Sequence, residues 1–171
     1  MAAPEITSEQ TTIESVSAEC RARILERIPQ QAPFRFVDTL DELSATHARG
    51  SYQFRADEFF YAGHFPGMPV TPGVILIECM AQIALVPLAL LLSEAQAPVA
   101  APTGSGTIPL FAEADEVEFS APVRPGGRVF VRGERVYFRR GKLKCRVAMN
   151  FEDGTPVANA VLAGVAVSVI V

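Results

Sequence analysis

The chain has 171 residues and a mass of 18.4 kDa, room for one domain with a substantial core and too little for two comfortable ones. Hydrophobic residues make up 49% and charged residues 20%, which excludes a disordered chain, because enough apolar surface is present to offset the entropy of ordering. A formal charge of −4 gives no bulk attraction to nucleic acid.

Residues 1–12 are polar and read as a poorly ordered extension ahead of a single domain over 13–171. With neither a basic n-region nor an apolar h-region, this stretch does not resemble a signal peptide. Ile13, Val16, Cys20, Ile24 and Ile28 then recur at helical spacing and predict an amphipathic helix ending before Pro29. An apolar run over 34–40 predicts a strand. A second strand is expected over 45–55, where His47, Arg49, Ser51, Gln53 and Arg55 share one face and Tyr52 and Phe54 the other. His47 falls on the solvated face and receives no function. Residues 63–73, GHFPGMPVTPG, hold three prolines and three glycines in eleven positions and predict a stiff, irregular loop.

Thr71 is placed to cap the next helix and Pro72 to sit in its first turn; the helix runs to about Leu92, with Pro87 inside it. Val74 to Leu92 is apolar enough to suggest a membrane span. Glu78, Gln82 and Pro87 argue against one, since a carboxylate in such a span costs about 2.5–3.5 kcal/mol. A buried core helix is the better reading. Residues 93–107 read as a linker. Strands are expected over 118–123 and 128–138, the second followed by a turn at Arg140-Gly141. A third alternates Leu143, Cys145, Val147 and Met149 with Lys142, Lys144 and Arg146; after the Asp153-Gly154 turn a last β-prone run fills 156–171. A helix greasy on all sides needs apolar surface all around it, and one strongly curved antiparallel sheet can supply that. The expected class is α+β. Cys20, Cys79 and Cys145 lie far apart and are odd in number, so no disulfide framework is expected and a reducing, cytoplasmic setting fits. No His and Cys spacing suits a metal.

Chemistry converges on one stretch. His64 is held in the proline-stiffened loop, Glu78 follows on the second turn of the apolar helix, and the helix start at Pro72-Gly73 offers unpaired N–H groups to developing negative charge. A histidine serves as base near neutral pH, and a carboxylic acid in apolar surroundings can stay protonated and act as acid. Gln82, one turn beyond Glu78, is placed to orient that carboxyl. Base, acid and oxyanion site are the parts needed to remove a proton beside a carbonyl and expel a hydroxyl. A solvated loop histidine and a glutamate paired with a buried arginine are the bland alternatives from the residues alone.

The segment GHFPGMPVTPGVILIECMAQ, residues 63–82, closely resembles the signature of the 3-hydroxyacyl-[acyl-carrier-protein] dehydratases. IPQQAPFRFVD (28–38) and VEFSAPVRPGGRV (117–129) resemble two further family segments. The resemblance implies a hot-dog fold, in which a curved antiparallel sheet wraps one long central helix, and a homodimer that admits assembly into a trimer of dimers. It implies catalysis by His64 and Glu78, with the amides of Gly73 and Val74 on the thioester carbonyl, Pro72 and Gln82 in support, and no metal or organic cofactor. The His and the carboxylate of one site would come from different subunits, and the partner would be an acyl carrier protein bearing the 3-hydroxyacyl group. Glu at position 78 resembles the branch that dehydrates without isomerising. The resemblance implies a place in fatty-acid biosynthesis; Gln30-Gln31, Cys79 and Pro87 depart from the family pattern, which leaves a related polyketide or polyene pathway as an alternative. A hot-dog acyl-thioester hydrolase and a non-catalytic acyl-carrier-binding subunit are the alternatives.

Residues 124–146 carry nine basic side chains against one acid, Glu134, a local charge of +8 that leaves −12 on the remainder. Such a strand region suits an acidic carrier protein, and a merely solvated sheet face explains it equally well.

Overall fold

Residues 15–96 and 105–170 are described by the computed structural model; the expected N-terminal extension over 1–12 lies outside them. The first helix, α1 (Ala18–Glu26), is shorter than the spacing from Ile13 to Ile28 predicts. The Ser17 hydroxyl accepts the Cys20 N–H at 3.2 Å and sets its start. Ile28 is buried beyond the helix end.

β1 spans Thr39–Leu43 and β2 spans His47–Gln53. The strand expected over 34–40 thus begins late, for a traceable reason. The Phe36 N–H and the Phe34 carbonyl are both taken by the side chain of Gln82, at 2.6 and 3.0 Å, rather than by a neighbouring strand. His47 is not on an open face either. Its side chain is only 15% exposed, with Nδ1 2.9 Å from the Ser44 hydroxyl.

The long helix α2 (Gly73–Gln96) contains Pro87 without ending there. Cys79, Met80, Ile83, Ala84 and Leu88 are fully buried. It is also the one described helix long and apolar enough to cross a membrane, and two-thirds of it is buried inside the fold. That burial marks a core helix. The region read as a linker over 93–107 divides: its first four residues extend α2, and Ser105 opens β3 (Ser105–Phe119). β3 pairs with β6 (Pro156–Ile170) from Ser105 opposite Ile170 to Phe119 opposite Ala158. Of residues 120–123, expected as strand, Ser120 still donates to the Val157 carbonyl of β6 at 2.8 Å, but the chain then turns away and the Val123 carbonyl accepts the Thr71 N–H at 2.8 Å.

β4 (Arg128–Arg139) and β5 (Lys142–Asn150) form the predicted hairpin, turning at Arg140-Gly141 with both φ angles positive. Leu143, Cys145, Val147 and Met149 face the core as their alternation requires. All six strands are antiparallel, in the spatial order β1-β2-β4-β5-β6-β3. The sheet curls round α2 in the hot-dog arrangement. Gly133 permits the closest approach, because a Cβ there would lie 2.4 Å from that of Ala84.

Candidate active site

His64 lies in the loop between β2 and α2, and backbone atoms hold it. Its N–H donates to the Phe60 carbonyl, its carbonyl accepts from Val70, and its ring Nδ1 lies 2.8 Å from the Val70 carbonyl. A carbonyl oxygen can only accept, so Nδ1 carries the hydrogen and the neutral ring keeps its lone pair on Nε2. The ring stacks on Phe65, centroids 4.1 Å apart. One ring nitrogen is thus committed to the scaffold, and the lone pair of the other is directed away from it.

Just beyond, the loop meets α2. The Thr71 hydroxyl pairs with that of Tyr61 at 2.7 Å and does not cap the helix, correcting the expected role. The Pro72 carbonyl accepts from Ile75 and Leu76, so Pro72 precedes the first turn rather than belonging to it. Among the described residues, the amides of Gly73 and Val74 donate to no protein acceptor. The absent side chain of Gly73 serves a packing need, since a Cβ there would meet the Phe119 ring at 2.8 Å. Phe119, at the end of β3, fills that space. Val74 is 72% exposed.

Glu78 is half-buried on the same helix. Its Oε1 accepts from Gln82 Nε2 at 2.8 Å and from Gln30 Nε2 at 3.5 Å. Fully buried Gln82 has no freedom to turn over: its Oε1 accepts the Phe36 N–H while its Nε2 donates to the Phe34 carbonyl as well as to Glu78. The predicted supporting role thus has an exact geometric meaning. One carboxyl oxygen, Oε1, receives both amides. Beside it, burial above all, and then the charges of Asp38, Glu78 and Glu58, push the Cys79 thiol up, which keeps it protonated.

Glu78 and Gln30 open on a cavity of about 220 Å³ whose walls include Ala81, Leu85, Leu143 and Gly164. It has the apolar lining and single acidic end of a site for a hydrocarbon chain with a polar head. No residue of 63–74 lines it. Within one chain, then, Gln82 and Glu78 come together as expected, and His64 stands apart from the Glu78 cavity. Gln30, read from sequence only as a departure from a family pattern, is the contact that sequence reasoning missed. Among the described residues no three His, Cys, Asp or Glu side chains form a metal-binding group.

The FabA-like domain family model matches residues 28–160. The chain belongs to the FabA-like family. It is 35% identical to the 3-hydroxyacyl-[acyl-carrier-protein] dehydratase FabZ of Caldicellulosiruptor bescii, over 82% of this chain and 93% of that one. To the enzyme of the same name from Gluconacetobacter diazotrophicus it is 32% identical, over 92% and 91%. Among solved structures, the dehydratase heterocomplex ApeI:P from Xenorhabdus doucetiae matches with a TM-score of 0.65 at 14% identity, covering 82% of this chain and 89% of that one. That likeness carries the fold alone, and it confirms the hot-dog architecture in a FabA-like chain.

Proposed function

We propose that this FabA-like protein dehydrates 3-hydroxyacyl groups on acyl carrier protein to 2-enoyl groups, as a hydro-lyase of fatty-acid biosynthesis. The observation that supports the chemistry best is the complementary state of two side chains. His64 anchors its ring through Nδ1 and keeps Nε2 off that anchor, and Glu78 keeps one carboxyl oxygen off its amide partners at the mouth of an apolar cavity. His64 Nε2 takes the proton from C2, the electron pair of that C–H bond becomes the C2=C3 bond, and the C3–O bond breaks. A proton on Glu78 Oε2 passes to the departing hydroxyl, which leaves as water. The Gly73 and Val74 amides hold the thioester oxygen as charge builds there. His64 then holds the proton and Glu78 lacks it; proton transfer through the released water restores both. Substrate and product differ only by water, so the step is redox-neutral.

The site is read as shared between two copies. His64 is absent from the walls of the Glu78 cavity, and β3, the edge strand, is open on one side. Leu110, Phe111, Phe119 and Val74 are exposed along that edge and beside it, an apolar surface that a symmetric second copy would cover. Such a dimer brings one subunit's His64 loop to the other's Glu78.

Carrier docking rests on fewer charges than the sequence suggests. Lys142 and Lys144 pair with Glu113, Lys144 also with Asp115, Arg146 with Glu116, and Arg132 with Glu134. Glu113 and Lys144 both sit opposite Ala163, whose small side chain lets them meet across β6. Among the described residues Arg135 and Arg139 form no such ion pair, and they are the better docking residues. Charge reversal at these two is expected to raise KM for carrier-linked substrate about three- to tenfold and to weaken its salt dependence, leaving a small thioester mimic unaffected.

The deciding assay follows enoyl absorbance with a 3-hydroxyacyl thioester. Enoyl product establishes the dehydratase. Thiol release without it would indicate a hydrolase, and no turnover of any carrier-linked substrate a binding subunit.

A further inference from the structure

We propose that Gln30 is a positioning residue for Glu78, its amide gripping one carboxylate oxygen so that the other faces substrate. Gln30 lies in the loop after α1, and that loop is tied down. The Arg35 guanidinium donates to the carbonyls of Leu25 at 2.8 Å and of Ile28 and Gln30 at 3.3 Å each. From this fixed base the side chain crosses to α2, where Nε2 approaches Glu78 Oε1 at 3.5 Å. It shares the wall of the same cavity.

The other end of the amide gives the reason to look for a function. Gln30 Oε1 is buried with no hydrogen-bond partner, the one such side-chain atom among the described residues. Buried polar atoms are nearly always paired, and leaving one unpaired is destabilising. Turning the amide over would not help, because it would set a carbonyl oxygen against the carboxylate. Glu78 therefore dictates the orientation, and the unpaired oxygen is the consequence. With Gln82 on the same Oε1, two amide donors fix the carboxylate plane and leave Oε2 to exchange the proton. A contact of 3.5 Å is long, and contacts of this kind tighten when substrate fills a site.

This inference rests on Glu78 acting as the acid, so the test runs Gln30→Met beside the wild type and Glu78→Gln. Methionine keeps the length and volume of the side chain and removes the amide. In the Gln30→Met enzyme kcat is expected to fall roughly tenfold, with KM changed by less than about twofold. Its urea midpoint should hold or rise, because the unpaired oxygen is gone. Wild-type kcat in the variant overturns the proposal. So does a joint loss of stability and activity, which would make Gln30 a structural residue only. Absence of enoyl product from the wild type, or full activity in Glu78→Gln, would instead remove the dehydratase reading or the acid role on which the inference depends.

Discussion

The two side chains proposed to react, His64 and Glu78, are held by opposite means. Around His64, every fixing hydrogen bond comes from the main chain: Phe60 and Val70 bond its backbone, and the Val70 carbonyl takes its ring. Around Glu78, helix geometry sets the position of the Cα, and side-chain amides set the carboxylate. The difference follows from the local structure. An irregular loop has carbonyls free to orient a ring, whereas a helix interior has spent its carbonyls on its own hydrogen bonds and must recruit side chains. It follows that the Glu78 end can be disarmed by a single neighbouring substitution, and the His64 end is resistant to one.

The largest expected effect tests the two ends directly. His64→Ala and Glu78→Ala should each lower kcat by about a thousandfold or more, with melting temperature little changed. Mixed after subunit exchange, the two inactive variants should regain about a quarter of wild-type activity, because half the dimers are mixed and each holds one intact site. Mixed dimers verified by mass spectrometry yet inactive would place both ends within one subunit.

Next comes the amide that secures the helix end. Gln82→Leu strips partners from the Phe36 N–H, the Phe34 carbonyl and Glu78 together. Urea denaturation should show a loss of roughly 2–5 kcal/mol, and residual activity should fall further than stability explains. Unchanged stability would mean that the 34–37 segment is not anchored by Gln82.

The smallest effect belongs to the loop end. Tyr61→Phe removes the hydroxyl paired with Thr71 at the base of the loop and should cost about 1 kcal/mol. Since the main-chain grip on His64 survives, kcat should change by less than about threefold. A loss as large as that of Gln82→Leu would abolish the contrast between the two ends.

Much of this was legible in the amino-acid sequence, and for local reasons. The Arg140-Gly141 and Asp153-Gly154 turns, the alternation through β5 and the all-round apolar α2 are each encoded within a few residues, because backbone preference and side-chain period act over that range. The pairing of Glu78 with Gln82 was legible too, since one helical turn separates them. Other features depended on residues distant in sequence. Phe34–Val37 has strand composition, yet Gln82, 46 residues beyond Phe36, takes its hydrogen bonds. Residues 105–107 read as the end of a linker and 108–117 received no element, yet they form most of β3, because β6 offers them a pairing edge and only one face needs to be apolar. Phe119 packs against Gly73 from far along the chain, and the basic run of 124–146 meets acids on β3 across an intervening strand. Local sequence determined the turns, the alternation of β5 and the long apolar helix, and it marked the residues proposed to do chemistry. Only the tertiary structure decided what lies beside them, because hydrogen bonds, ion pairs and packing act through space between segments that the chain order keeps far apart.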